Sequence, residues 1–130
     1  MASPHPDPSK PHSRYRQKGR ANLVVLPADG CDLPAPDLPP GREWSDTERK
    51  VWAELWRSPQ ASQWDDSFAP LAAMFVVYHL AVLSGEASAW MAQEARHLAD
   101  RLGLSPAGLV ACGWRLADPG EGGLRSVGAS

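Results

Sequence analysis

The chain is short of most residues that announce chemistry. It has two cysteines, Cys31 and Cys112. Two isolated thiols make neither a disulfide framework nor a zinc spacing, and they suit a reducing compartment. A membrane-spanning helix needs ~20 apolar residues, and the run Leu71 to Leu83 falls short of that and carries Tyr78 and His79. Leu23 to Leu26 is too short for the apolar core of a signal peptide, so a soluble cytoplasmic protein is expected. There is no phosphate loop, no dinucleotide fingerprint, no nucleophile elbow and no His-Glu-x-x-His. Glu94 and His97, spaced i, i+3, would need a second such pair to hold a metal in a bundle, and none exists. His79 has no carboxylate placed to orient it, and Asp65 and Asp66 are explained by helix capping. An enzyme is therefore not expected, nor a metal or a cofactor.

What the chain does have is unevenly spread. Its 130 residues suffice for one domain. Nine of 13 prolines lie in the first 40 residues, where they forbid helix or central strand. Residues 1–41 are thus expected to be a disordered or extended arm and linker. Residues 1–20 hold five basic side chains, Lys10, Arg14, Arg16, Lys18 and Arg20, against Asp7, a net charge of +4. The remainder holds eight basic and 14 acidic residues, a net of −6. A basic arm on an acidic body fits a polyanion partner for the arm alone; the bland alternative is a solubilising tail.

Residues 42–117 carry the helical signals. Ser45-Asp46-Thr47-Glu48 is a capping box, and Val51, Trp52, Leu55 and Trp56 share one face of a helix that Ser58-Pro59 stops. A second helix, capped by Asp65 or Asp66, starts at 66 or 67, keeps Pro70 in its first turn, and ends at Ser84 with Gly85 beyond. A third runs from about Glu86 to Leu102, and the tight turn makes these two an antiparallel hairpin. Ser105-Pro106 starts a fourth, short helix that fades near Leu116. No strand pattern is visible. The expected fold is all-α, three to four helices around a central helical hairpin, with residues 118–130 as a flexible tail.

The second helix, Phe68 to Leu83, is apolar nearly all the way round. In so small a protein, such a helix calls for cover from another copy or a partner. Phe75, Val76, Tyr78, Leu80 and Trp90 are the candidate oligomer contacts. Of six tryptophans, Trp52 and Trp56 read as core, while Trp44, Trp64, Trp90 and Trp114 are interface candidates. Residues 98–116 have the outline of a helix-turn-helix, with Ala99 at the crossing, Gly103 in the turn and Leu109 packing the second helix. That second helix would offer bases only Ala107, Gly108, Ala111 and Cys112, with Arg115 late on, which is poor material for reading sequence. The better candidates for DNA contact are Lys10, Arg14, Arg16, Lys18 and Arg20, with Tyr15 among them.

Three stretches together carry a family resemblance. The linker ends Leu38-Pro39-Pro40-Gly41-Arg42-Glu43-Trp44; then come Trp52-Ala53-Glu54-Leu55-Trp56-Arg57-Ser58-Pro59-Gln60-Ala61 and, after two long helices, Leu102-Gly103-Leu104-Ser105-Pro106. Over about residues 38–116 the chain resembles the small terminase subunits of tailed phages, in the short form of actinobacterial phages. Where that family follows Ser/Thr-Pro with arginines and an Arg-Trp pair, this chain has Ala107 to Arg115 with one arginine. The resemblance implies a non-catalytic DNA-packaging protein. It would form a homo-oligomeric ring, bind double-stranded viral DNA and regulate the large terminase subunit, the ATPase and nuclease, in the host cytoplasm. The alternative is a small transcription regulator using residues 98–116.

Overall fold

Ser45 opens the first helix as its sequence demands. Its hydroxyl accepts from the Glu48 amide at 3.1 Å, while the Glu48 carboxylate accepts from the Ser45 amide at 2.8 Å. In the computed structural model, which describes residues 23–118, this helix is α1, Asp46–Trp56. A short 3₁₀ turn, Pro59–Gln63, follows. Next come α2, Phe68–Leu83, α3, Ala89–Arg101, and α4, Pro106–Cys112. The four helices and the central α2–α3 hairpin are the architecture the sequence implies.

Three helix boundaries differ from expectation, each for a local reason. Neither Asp65 nor Asp66 caps α2. Asp65 instead closes its own turn, its Oδ1 accepting from the Ser67 amide at 2.9 Å and from the Ser67 hydroxyl, so the helix begins at Phe68. Pro70 is its third residue, where an amide has no intrahelical partner to lose. Helix α3 starts at Ala89, because the Ser88 hydroxyl accepts from the Met91 amide at 3.1 Å. Helix α4 stops at Cys112, where Gly113 takes a left-handed conformation.

Two short strands correct the expectation of none. Val24–Leu26 (β1) and Trp114–Leu116 (β2) pair in parallel, with Val24 opposite Trp114 and Leu26 opposite Leu116. Parallel strands cannot be joined by a tight turn; here the whole helical set is the crossover. The pairing ties the segment before α1 to the segment after α4, and Leu26 is fully buried. Between Leu23 and Gly41 the chain is largely exposed but tied to the helical body at several points. The Cys31 amide donates to the Arg57 carbonyl at 2.9 Å. The carbonyls of Pro36 and Pro39 accept from the indoles of Trp52 and Trp44 at 2.8 and 3.0 Å.

The core lies where α1, the 3₁₀ turn, α2 and α3 meet. Trp56 packs against Trp52 with centroids 5.5 Å apart and edge-on against Trp64 at 5.0 Å, and Trp64 stacks on Phe68 at 6.0 Å. Ala72, Ala73, Phe75 and Val76 on α2 and Leu98 and Leu102 at α3 complete it. Each fully buried Val or Leu contributes roughly 1.5–3 kcal/mol from apolar burial.

Candidate interaction surface

The outward side of α2 follows from its composition. From Phe68 to Leu83 there is no charged residue, so the face turned from the core is apolar as well. Met74, Tyr78 and Val82 recur every four residues and share one side of the helix. Met74 is 41% exposed, Val82 38% and Leu83 69%. Across the hairpin, Trp90 in the first turn of α3 meets Tyr78 edge-to-face, with centroids 5.8 Å apart. Trp90 is 59% exposed, the most exposed tryptophan among the described residues. A half-exposed Tyr–Trp pair beside bare Met and Val is the composition of an interface centre.

The five residues expected to make an oligomer contact therefore divide. Phe75 and Val76 lie on the inner face of α2, 7% and 0% exposed, and are closed within the single chain. The all-round apolar pattern gave no way to say which side faced inward. Tyr78 and Leu80 are half-buried against the core. Trp90 remains at the surface, and Met74 and Val82 join it.

The other interface tryptophans turn inward. Trp64 is 8% exposed, and its ring N–H donates to the Leu102 carbonyl at 3.1 Å. Beside it the buried Gln60 side chain donates to the Gly103 carbonyl at 3.0 Å, so the 3₁₀ turn is clamped to the α3–α4 turn. Trp44 is half-buried, bonded to Pro39 and covered by the Arg42 guanidinium at 4.3 Å. Trp114 is half-buried with its ring over Gly103.

The α3–α4 unit has the expected helix-turn-helix outline. The turn is at Gly103, and the Ser105 hydroxyl caps α4 by accepting from the Gly108 amide at 2.9 Å. The close approach is made by Gly108, where a Cβ would sit 2.4 Å from the Asp100 carbonyl oxygen, rather than by Ala99. Helix α4 presents Ala107, Val110 and Ala111 outward, Val110 79% exposed, and no polar side chain that would read a base.

His79 stacks on Phe75 at 4.8 Å, a packing role. Glu94 and His97 approach to 3.9 Å on an open helix face. Among the described residues no group of three or more His, Cys, Asp or Glu side chains is placed to hold a metal ion, and no helix is long and apolar enough to cross a membrane. Cys31 and Cys112 are both free thiols, and burial pushes that of Cys112 up. Lys10, Arg14, Arg16, Lys18 and Arg20 lie outside the described residues. A family model described as phage terminase small subunit matches residues 2–108 of the chain. No curated protein matches it, and no solved structure does.

Proposed function

Since this chain belongs to the phage terminase small subunit family, we propose that it is the non-catalytic, ring-forming adaptor of a phage DNA-packaging motor. Its role lies in genome packaging inside the infected host cell. In this reading the arm residues Lys10, Arg14, Arg16, Lys18 and Arg20 grip double-stranded viral DNA by its phosphates. The helical body assembles with further copies, and the assembly regulates the large terminase subunit, which performs ATP hydrolysis and DNA cleavage.

The observation that carries the proposal is the uncharged outward face of α2, with Met74, Val82 and Trp90 open to solvent. A monomer rarely leaves such a face bare. Copies repeating one contact around a closed circle would cover it. The experiment is size-exclusion chromatography with light scattering on the full chain. A mass several times 14.1 kDa supports a ring. A dimer would favour the regulator reading, for which the α3–α4 geometry speaks and the apolar surface of α4 does not.

DNA contact is tested separately by fluorescence anisotropy against salt. If all five arm cations meet phosphates, the slope of log K against log salt is roughly −4 to −5, about −0.9 per contact. Replacing Arg14 and Arg16 by alanine should flatten it by roughly 2. An unchanged slope removes those two residues from the DNA contact.

A further inference from the structure

Trp56 is 7% exposed, and its ring N–H is the buried side-chain donor among the described residues that lacks a hydrogen-bond partner. Its neighbours behave otherwise. Trp44, Trp52 and Trp64 each donate to a backbone carbonyl, and two of those carbonyls, of Pro39 and Pro36, belong to the extended proline-containing segment. The indoles of this domain hold passing main chain, and one of them has none to hold. A buried donor left so costs its full desolvation.

Trp56 lines a cleft of about 510 Å³ between α1 and the loop at 29–35. A second hollow of about 200 Å³ continues it, sharing Cys31, Leu33, Pro34 and Trp56. The rim is acidic. Asp29 and Asp32 border the larger part, Asp65 and Asp66 the smaller, and the cation among them is Arg57. All four aspartates are exposed. Asp65 is held ionised below the usual carboxylate range by the Ser67 hydroxyl and amide, which both donate to it.

An apolar floor and an acidic rim suit an extended cationic peptide. Its backbone and aliphatic stems would lie along the Trp56 ring, and its basic side chains would meet the aspartates. We propose that the occupant is the chain's own arm, through the segment Arg14-Tyr15-Arg16-Gln17-Lys18-Gly19-Arg20, docked in the cleft until phosphates compete for its cations. Charge favours this, since the arm carries +4 and the rest of the chain −6. Reach allows it. Leu23 stands six residues before Asp29, and 22 residues extend up to roughly 70 Å. The tether raises the local concentration of the arm without any new contact. Docking stands by itself; only release by phosphates rests on the arm being the DNA contact. The consequence is a filter: the body withholds the arm from weak polyanions and yields it to dense phosphate.

The test uses the full chain without DNA, with ¹⁵N in the indoles, observed by NMR at low salt. The comparison is a variant with Arg14, Arg16, Lys18 and Arg20 all replaced by alanine. The Trp56 indole signal should differ between the two proteins, while those of Trp44 and Trp90, which line neither hollow, stay in place. High salt should bring the wild-type Trp56 signal to the variant's position. A Trp56 signal unmoved by neutralising the arm leaves the cleft to a basic peptide of another protein and overturns the proposal. The shift must also survive dilution, because its loss would put another copy's arm in the cleft and overturn self-docking. A second variant, Asp29→Asn with Asp32→Asn, loosens the rim at exposed positions. Its DNA affinity should rise roughly two- to fivefold, the scale of exposed ion pairs released; an unchanged affinity overturns the competition. If the wild type binds no DNA at all, the DNA reading of the arm fails while the indole shift still reports docking.

Discussion

At the scale of single residues, glycines and caps set the tightest limits. Gly103 has φ +74, and a Cβ there would lie 2.4 Å from the Trp114 ring. Gly103→Ala meets left-handed strain and a clash together, so it should cost about 2–4 kcal/mol in chemical denaturation. Gly108→Ala should cost a comparable amount, since the Asp100 carbonyl it would strike is main chain and cannot swing aside. Glu48 makes an acid-linked prediction. The Ser45 amide above all, helped by the Ser45 hydroxyl and the Arg42 guanidinium at 2.9 Å, holds its carboxyl below the usual range. A carboxyl with a depressed folded-state pKa stabilises above its unfolded value, and that support is lost as pH falls through the folded value. The melting temperature of the wild type should therefore drop more steeply below about pH 4.3 than that of Glu48→Gln. The Ser45–Glu48 box was legible because its partners are three residues apart. Trp64 was not, because the carbonyl that receives its N–H comes from Leu102, 38 residues away.

At the scale of elements, the helices declared themselves and the strands did not. Each helix carries its own start signal in Ser45, Ser88 or Ser105, or its own stop in Ser58-Pro59 or Gly85. Three boundaries were misplaced: the start of α2, because Asp65 bonds Ser67 instead of capping; the start of α3, because Ser88 rather than Glu86 opens it; and the end of α4, because Gly113 stops it at Cys112. Three-residue strands have no room for an alternating pattern, and β1 exists only because β2 meets it from the far end of the described chain. Leu26 is the anchor of that pairing. Leu26→Ala should lower stability by about 2–5 kcal/mol, measured by urea unfolding, although a disordered linker at this position would predict no change. The candidate surface was half legible. An apolar helix signals that cover is needed, but with every side apolar, only packing against Trp56 and Leu98 decides that Val76 faces in and Met74 faces out.

At the scale of the whole molecule, a body of net charge −6 carries an arm of +4, and the body shows an apolar face. The arm suits a polyanion, and the face suits another copy of the chain. The family supports a phage DNA-packaging role for the chain. The central claim is that the face of α2 with Trp90 makes the assembly. Met74→Asp and Trp90→Ala change exposed side chains, so each variant should keep its helical content by circular dichroism. The decisive measurement is the solution mass by light scattering of the wild type and of the Met74→Asp, Trp90→Ala double variant. A wild-type mass several times 14.1 kDa that falls toward 14.1 kDa in the double variant is the predicted result. A wild type already at 14.1 kDa, or a double variant that assembles as well as the wild type, would contradict it.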